Sequence, residues 1–320
     1  MKDKAEKAVK TVTIYDQDHN PVKEIVPGDH KSIWTPGQIV LVAVIILVSL
    51  TCVIPFVNII ALSLSSKSAI LRSAVTFWPV EFTTKTYEYL FNNKDMIHSL
   101  FFTVEVTLIY TAFAMALTVL MAYPLTKKRL KGRAFFSFMA LFTMYFSGGT
   151  IPIYLNIKEL GILDTMWALI LPGMLSTYNM IIMKSFFSSL PGELEEAATI
   201  DGANDFQILF RVYLPLSMAS LATLTLFYAV GKWNSFQDAL YYIQSRSLQP
   251  LQLKLYNAIK GAQSAIDTAA AEGGANAAAN DAAESIKYAT IIFATLPILV
   301  VYPFVQRYFV AGVTIGAVKG

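Results

Sequence analysis

The chain has 320 residues, of which 55% are hydrophobic and only 15% are charged, and its mean hydropathy is +0.51. Soluble domains carry about a quarter charged residues, so this composition predicts a membrane protein. The net charge of +3 is small, and the basic residues are scattered or lie at the ends of apolar runs, which argues against a nucleic-acid partner. Cys52 is the single cysteine, and His19, His30 and His98 share no ligand spacing, so neither an intrachain disulfide nor a metal site is expected.

Residues 1–36 form a polar stretch of mixed charge that ends at Trp34-Thr35-Pro36. No compact apolar segment with a cleavage site precedes them, so a removable signal peptide is not expected. We interpret the stretch as a flexible cytoplasmic N-terminal extension. Trp34 should lie close to the lipid headgroups, because tryptophan favours the membrane interface.

Six apolar runs follow, each close to the roughly 20 residues that a helix needs to cross a bilayer. They lie at about 37–63, 98–124, 134–155, 164–187, 213–233 and 288–309. The sequence therefore predicts an all-α polytopic membrane protein, with six transmembrane helices in a domain that covers residues 37–320. Because six is an even number, both termini are expected on the same side of the membrane.

Basic residues near the ends of the runs predict which side that is. The short loop between the second and third runs contains Lys127-Lys128-Arg129 and Lys131-Gly132-Arg133, and the N-terminal extension adds six lysines. Positive charge next to a span favours the cytoplasm. Both termini, this basic loop and the segment 190–215 between the fourth and fifth runs are therefore expected to be cytoplasmic.

Two longer loops should then face outwards. Residues 64–97 include Tyr87-Glu88-Tyr89-Leu90-Phe91, which predicts a short amphipathic or interfacial helix. Residues 234–287 include an alanine-rich, low-complexity piece at about 261–285, which can be helical in parts but cannot form a core alone. We interpret that piece as an extracellular surface insertion without chemistry.

The segment 190–215 is a polar and acidic interruption of a largely apolar chain. The proline and glutamates near its start suit the first turn of a helix, and Gly202 is a natural helix end. Asn204 or Asp205 can cap a second helix, which Pro215 then breaks or kinks. The sequence thus predicts a short helix, a glycine turn and a second short helix between two spans.

Several polar residues within the runs are candidates for a solute path, since unpaired polar groups in a bilayer are costly and should face protein or water. Glu105 could line a path, pair across a subunit boundary, or be a buried acid satisfied by neighbouring helices. Pro172-Gly173 could expose backbone to a solute or only kink a helix. The small residues of the fifth run could line a sugar path or permit close helix packing. The tentative path residues are Glu105, Tyr145, Gly148, Gly149, Ser176, Asn179, Ser220, Tyr228, Trp233 and Asn234.

Features at the ends of the runs leave alternatives open. The stretch Tyr145–Pro152 predicts a helix break towards the outside, which could be a gate or a packing bend. Trp233-Asn234 offers the aromatic face and amide that a neutral sugar needs, but tryptophan at a membrane boundary is equally typical of an anchor. Lys184, Lys232 and Arg307 lie near span ends and are expected to snorkel towards the headgroups.

The segment Glu196-Ala197-Ala198, three further residues, Gly202-Ala203 and then Leu214-Pro215 resembles the cytoplasmic EAA loop of binding-protein-dependent ABC importer permeases. In that family the loop is a coupling helix that docks into a groove on the ATPase subunit. The resemblance implies an ATPase contact, with Glu196 pairing a basic group there. The implied coupling residues are Glu196, Ala197, Ala198, Asp201, Gly202 and Ala203.

The likeness extends to Tyr145–Leu155, Trp167–Phe187, Phe227–Leu240 and Tyr288–Gly320, which are similar to the maltose-type carbohydrate branch (carbohydrate uptake class 1). The tail Gln306–Gly320 resembles the second permease subunit of that branch. Within the branch, the stretches Phe146–Pro152 in the third run and Gly231–Ser235 at the end of the fifth run resemble a subgroup. That subgroup is linked to complex oligosaccharides, including ones that contain uronates.

This resemblance implies the type I ABC importer permease fold in a bacterial plasma membrane. It also implies a heterodimer with a homologous permease, two ATPase subunits, an extracellular solute-binding protein and an oligosaccharide substrate. No cofactor is expected on this chain, with ATP and magnesium bound by the partner ATPase. The C-terminal tail, with Gly316 and Lys319, is implied to reach the ATPase interface.

Other classes of protein have weaker support. An ion-coupled secondary sugar carrier would need intramembrane acids or an inverted repeat, and Glu105 alone is thin support. An ABC permease for another solute class would share the EAA loop but not the tail. A membrane enzyme would need a metal pair, a Ser-Lys dyad or paired acids within spans. The chain also lacks a phosphate-binding Gly-x-x-x-x-Gly-Lys-Ser/Thr loop, so a non-catalytic subunit is expected.

Overall fold

The computed structural model of the protein describes residues 12–15, 21–25, 35–271 and 285–303. The chain divides into two compact units, Met1–Phe56 and Val57–Gly320. The second unit contains every candidate coupling and path residue that the structure describes, so its helices position the candidate site.

The first unit contains a small hairpin that the all-α prediction missed. Strands β1 (Val12–Tyr15) and β2 (Pro21–Ile25) pair antiparallel, with Val12 opposite Ile25 and Thr13 opposite Glu24. The β-branched residues of these segments favour strands. The N-terminal extension therefore contains a strand pair that the sequence did not predict.

A long apolar helix, α1 (Pro36–Ser63), begins in the first unit. It matches the first predicted span, and Pro36 occupies its first turn, where a missing N–H costs nothing. The exposed side chains along it are largely apolar, including Leu47 at 66% exposure. Such a surface suits contact with lipid rather than water.

The described elements of the second unit are helices joined by turns. In chain order they are α2 (Lys67–Leu71), α3 (Lys85–Asn92), α4 (Lys94–Ala122), α5 (Arg133–Tyr145), α6 (Thr150–Glu159), α7 (Met166–Ile170), α8 (Thr177–Ser189), α9 (Gly192–Ile200), α10 (Asp205–Ile208), α11 (Leu214–Leu216), α12 (Met218–Trp233), α13 (Gln237–Tyr242), α14 (Leu251–Ala271) and α15 (Ser285–Pro303). Short 3₁₀ turns occupy Pro124–Thr126 and Arg246–Leu248, and a π turn covers Leu209–Tyr213.

Within the described residues, three helices are long and apolar enough to cross a membrane, or five if each of two bent pairs counts as one span. The three are α1, α4 with its following turn, and α15. The fourth predicted run, 164–187, divides into α7 and α8, so six spans stay a prediction. The short amphipathic helix predicted in residues 64–97 is confirmed as α3.

Helix α4 is the central element of the second unit and packs against α12, α8, α7 and α14. It begins four residues before the predicted run because Asn93 caps it, its side chain accepting from the backbone N–H groups of Asp95 and Met96. Such a cap satisfies donors that would otherwise be unpaired at a helix start.

Two bends interrupt predicted spans. Helices α5 and α6 meet at 113°, and Gly149 at the junction has φ +85°, a conformation that glycine adopts at little cost. The helix break predicted there is confirmed. Residues Asp205–Leu216 and Met218–Trp233 meet at 84°, two residues after Pro215, which confirms the break expected from that proline.

The segment between α7 and α8 contains Pro172 and Gly173, the latter with φ +69°. Its backbone is held by two tyrosines of neighbouring helices. The Tyr110 hydroxyl donates to the Gly173 carbonyl at 2.9 Å, and the Ser176 N–H donates to the Tyr228 hydroxyl at 3.1 Å. The predicted Pro-Gly break is confirmed, and side chains from α4 and α12 satisfy groups that it frees.

The alanine-rich piece at 261–285 is helical at its start. Helix α14 continues to Ala271, while the rest of the piece before α15 lies outside the described residues. The loop before α14 is tied to the turn preceding α7, because Asp164 accepts from the backbone N–H groups of Gln244 and Ser245 at 2.8 Å.

The Tyr228 phenol is a good test of how the interrupted helices are held together. It is only 4% exposed, and its oxygen lies 2.7 Å from the Thr118 hydroxyl as well as 3.1 Å from the Ser176 nitrogen. Replacing Tyr228 by Phe should lower stability by about 1–3 kcal/mol, because two buried groups lose their partner. A lower midpoint of thermal unfolding of the purified protein would show this.

The matched control is Tyr241→Phe, since the Tyr241 side chain is 47% exposed. This variant should unfold at the wild-type temperature. Equal midpoints for the Tyr228 and Tyr241 variants would contradict the stabilising role of the Tyr228 hydroxyl.

Candidate functional site

The predicted helix, glycine turn and helix of segment 190–215 are all present. Helix α9 begins after Pro191, carries Glu193 and Glu195 in its first turn, and ends at Ile200, with Asp201 as its C-cap. Gly202 has φ +81°, which reverses the chain between the two helices. An added Cβ at Gly202 would meet nothing within 4 Å, so the backbone conformation rather than space favours glycine there.

Helix α10 is started by a capping box. The Asn204 side chain accepts from the Gln207 N–H at 2.9 Å, and the Gln207 side chain accepts from the Asn204 N–H at 2.9 Å. Of the two caps that the sequence allowed, Asn204 is the one used. The reciprocal bonds satisfy two orphan donors and determine where the second helix begins.

A buried ion pair joins α9 to the basic loop after α4. The Lys127 ammonium lies 2.7 Å from Glu195 Oε2 and 3.1 Å from the Tyr213 hydroxyl, which itself donates to Glu195 Oε2 at 2.8 Å. The Lys127 side chain is only 8% exposed and Glu195 26%. The Lys127 nitrogen also lies 4.1 Å and 4.2 Å from the ring centroids of Tyr123 and Tyr213, within reach for cation–π attraction.

The surroundings shift the ionisation of both charged groups. Burial raises the pKa of the Glu195 carboxyl, but hydrogen bonds from Lys127 and Tyr213 outweigh it and hold that pKa below its ordinary value. Burial lowers the pKa of the Lys127 ammonium, against the opposing effect of Glu195. Each charge of the pair thus compensates the other in a partly desolvated site.

A second ion pair, at the surface, joins the basic loop to α10. Arg129 contacts Asp205 at the start of α10. A pocket of about 420 Å³ lies beside it, lined by Leu120, Lys131 and Phe206 among others. In the sequence, the basic loop predicts only which side of the membrane it faces. In the structure, this loop forms ion pairs with both helices of the 190–215 segment.

The outer surface of α9 and α10 is exposed and partly apolar. Ile200 is 86% exposed and Phe206 66%, and Phe210 in the following π turn is 58% exposed. Their inner surface packs on a core cluster that includes Phe187, Leu209 and Tyr213. Exposed large apolar groups beside charged ones are typical of a protein–protein contact.

The structure divides the predicted coupling residues between two faces. The outward set is Glu196, Ala197, Asp201 and Gly202, which are exposed, while Ala198 and Ala203 pack against the core cluster. Gly316 and Lys319 of the C-terminal tail lie outside the described residues.

Three of the tentative path residues, Ser176, Asn179 and Tyr228, lie close to the break before α8, and Ser220 lies on α12. Ser176 caps α8 by accepting from the Asn179 N–H at 3.3 Å. Asn179, Ser220 and Tyr228 are buried at 6%, 3% and 4% exposure, and the structure ties Tyr228 to Ser176 and Thr118. These contacts are those of a satisfied helix break, while the neighbouring Pro172-Gly173 backbone lines a pocket.

The other tentative path residues lie apart. Tyr145, Gly148 and Gly149 are exposed at the bend between α5 and α6, and Glu105 is exposed on α4. Trp233 is 7% exposed and its indole N–H donates to the Ala294 carbonyl at 3.3 Å, so it is packed against α15. Asn234 is exposed and its amide donates to the Val230 carbonyl at 3.0 Å.

Both lysines expected to snorkel lie in the described residues. Lys184 donates to the Ser137 hydroxyl at 3.3 Å. The expectation is wrong for Lys232, whose side chain is only 7% exposed and pairs with Asp238. Arg307 lies outside the described residues, and across those residues no group of three or more metal-binding side chains occurs.

The sequence profile of the family described as the binding-protein-dependent transport system inner membrane component matches residues 99–315. The chain belongs to this family. The permease is accordingly a multi-pass protein of the inner membrane, and the match covers the basic loop, the 190–215 segment and the fifth run.

Individual relatives extend the comparison. The polygalacturonan/rhamnogalacturonan transport system permease protein YtcP of Bacillus subtilis (strain 168) is 41% identical over 276 residues, which cover 86% of the permease and 96% of YtcP. Protein LplC of the same organism is 42% identical over 268 residues, covering 84% of the permease and 90% of LplC.

A chain from the crystal structure of a bacterial ABC transporter involved in the import of the acidic polysaccharide alginate is 32% identical. Its TM-score is 0.76, and the match covers 87% of the permease and 99% of that chain. The permease therefore has the type I ABC importer permease fold.

Sequence reasoning missed the residues that hold the 190–215 segment in place. Lys127 was interpreted only as a topological charge, Glu195 only as a favourable charge at a helix start, and Tyr213 only as a span end. Nothing in their spacing could have joined them, since Lys127 and Glu195 are 68 positions apart.

The depressed pKa of Glu195 predicts a pH-dependent contribution to stability. The ionised carboxylate stabilises the fold above the ordinary carboxyl pKa of about 4.3, and that stabilisation is lost as the pH falls through the lower folded-state pKa. The unfolding temperature of Glu195→Gln should therefore be well below that of the wild type at neutral pH. The gap should narrow as the pH approaches about 4.

Glu196→Gln is the matched control, because Glu196 is the adjacent residue and is exposed. Its unfolding temperature should follow the wild type at every pH. A gap between wild type and Glu195→Gln that does not change with pH would contradict the ion-pair interpretation.

Proposed function

We propose that the permease is one of two homologous permease subunits of an ATP-driven importer that takes up oligosaccharides. An extracellular solute-binding protein delivers the oligosaccharide, and two ATPase subunits bind ATP and magnesium on the cytoplasmic side. The permease itself is a non-catalytic subunit without a cofactor. The names of YtcP and of the alginate transporter support a carbohydrate substrate, including chains that contain uronic acids.

The observation that carries this proposal is the construction of the 190–215 segment. Its exposed surface presents Glu196, Ile200 and Phe206, while the buried Lys127–Glu195–Tyr213 contacts join it to α4 and to the start of the fifth run. A segment held in this way moves with those helices. An ATPase that binds its outer surface could thus shift the spans between inward-facing and outward-facing arrangements.

The tail residues Gly316 and Lys319 belong to the same proposed ATPase contact. The tentative path residues, from Glu105 to Asn234, are proposed to line or support the route of the sugar. Of these, Tyr145, Gly148 and Gly149 are the exposed group at a helix bend, where a solute delivered from outside could enter.

A backbone substitution at the glycine turn tests the coupling role. Gly202→Pro cannot adopt φ +81° because the proline ring holds φ near −65°. This variant should lose most of the ATP hydrolysis that the loaded binding protein stimulates, and most oligosaccharide import, in the complete transporter reconstituted in proteoliposomes.

Gly192→Ala is the control. Gly192 is exposed in the same helix–turn–helix segment and a Cβ there would also meet nothing within 4 Å, but its φ is not positive. It should behave as the wild type. Normal import by the assembled Gly202→Pro transporter would contradict the coupling role.

The energy source separates this proposal from an ion-coupled carrier. ATP depletion should abolish uptake, whereas an ionophore should leave it unchanged when ATP is maintained. The reverse result, with uptake independent of ATP and abolished by the ionophore, would favour the carrier.

A further inference from the structure

A second buried ion pair lies at the far end of α12, away from the coupling segment. The Lys232 ammonium lies 3.1 Å from Asp238 Oδ2 in α13, and the side chains are 7% and 33% exposed. The Lys232 nitrogen also lies 4.9 Å from the Tyr110 ring centroid. Removing a lysine and a carboxylate from water is costly, and such a pair is weak evidence for stability, so its position needs another explanation.

The pair borders a pocket of about 300 Å³ whose other walls include Tyr110, Gly173 and Tyr242. This volume lies at the lower end of the range for small-molecule sites, so the pocket suits one sugar ring rather than a whole oligosaccharide. Gly231 contributes open space, because an added Cβ there would meet nothing within 4 Å.

The polar groups in the pocket match a hydroxylated ring. Lys232 uses one N–H for Asp238 and has no other hydrogen-bond acceptor in the described part of the chain, while Asp238 can accept further bonds on both oxygens. An ammonium and a carboxylate side by side can bond two adjacent hydroxyl groups, one as donor and one as acceptor. Tyr110 and Tyr242 add aromatic surface for the C–H groups of the ring.

A third polar group lies beside the same pair. The Thr107 hydroxyl is 8% exposed and without a partner among the described residues, and it lines a small adjoining cavity together with Lys232 and Asp238. Buried hydroxyls are normally hydrogen-bonded. The Thr107 hydroxyl is therefore available to bond a further polar group beside the charged pair.

The charge of the pocket decides between two ligand chemistries. Lys232 and Asp238 neutralise each other, and a ligand carboxylate would have to compete with Asp238 for the ammonium. The site therefore suits the hydroxyl groups of a sugar ring rather than the carboxylate of a uronic acid.

We propose that the pocket around Lys232 and Asp238 is a subsite that binds adjacent hydroxyl groups of one sugar ring during import. This subsite rests on the proposed function, because it assumes that an oligosaccharide passes through the permease. It assigns Lys232 a binding role at the place where Pro172-Gly173 interrupts the helices, and it accounts for a lysine buried at a span end.

The test uses the complete transporter in proteoliposomes with two labelled probes, a neutral arabinan trisaccharide and a galacturonan trisaccharide. Gly231→Leu fills the pocket without altering the ion pair and should lower import of every transported probe about tenfold or more. Gly261→Leu is the control, since Gly261 is an exposed helical glycine outside the pocket with nothing within 4 Å of an added Cβ. It should import at the wild-type rate.

Asp238→Asn tests the chemistry of the site. It removes the charged acceptor and leaves an unopposed ammonium, so it should reduce import of the neutral probe about tenfold and shift preference towards the acidic probe. The subsite alone would be overturned if Gly231→Leu and Asp238→Asn both imported at the rate of Gly261→Leu, and if their preference between the neutral and the acidic probe were unchanged. Import of the probes by the wild-type transporter that continues at full rate without ATP would overturn the proposed function, whichever way the two pocket variants behave.

Discussion

The buried contact between Lys127, Glu195 and Tyr213 is the interaction on which the arrangement of the 190–215 segment in the second unit depends. It joins three segments that are far apart in the chain: the loop after α4, the first turn of α9 and the start of the fifth run. A buried charge that loses its partner is strongly destabilising, so these segments are held in one arrangement. That rigidity is what a coupling element needs.

Buried polar groups are also paired where the helices are interrupted. The break before α8 frees backbone groups, and the phenols of Tyr110 and Tyr228, on two different helices, bond to them. In a bilayer there is no water to satisfy such groups. The interruption is therefore stable because Tyr110 of α4 and Tyr228 of α12 bond to its backbone. It also places the Pro172-Gly173 backbone in the wall of the pocket that Lys232 lines.

Local features of the sequence predict the structure wherever a single residue type determines the backbone conformation. Gly149, Gly202 and Pro215 marked a bend, a reversal and a break, and each is found where it was expected. The N-terminal hairpin was missed because apolar length dominates the sequence pattern of a membrane protein, and two short strands contribute little to it.

Side-chain partners across the fold could not be predicted in the same way. Lys232 has the position of a snorkelling lysine at a span end, yet it is buried because Asp238, six positions later, turns back over it. Whether a lysine reaches lipid headgroups or a carboxylate depends on where the next helix packs, and no spacing rule contains that information.

The sequence by itself determined that the chain is an apolar, helical membrane protein with a short acidic helix–turn–helix between its fourth and fifth runs. Hydrophobic length, basic loops, glycine and proline act locally, so they can be interpreted without coordinates. Only the tertiary structure decided that Lys127 forms an ion pair with that segment and that Lys232 and Asp238 border a pocket. Such pairings depend on how distant helices pack, and burial then gives the paired charges their strength.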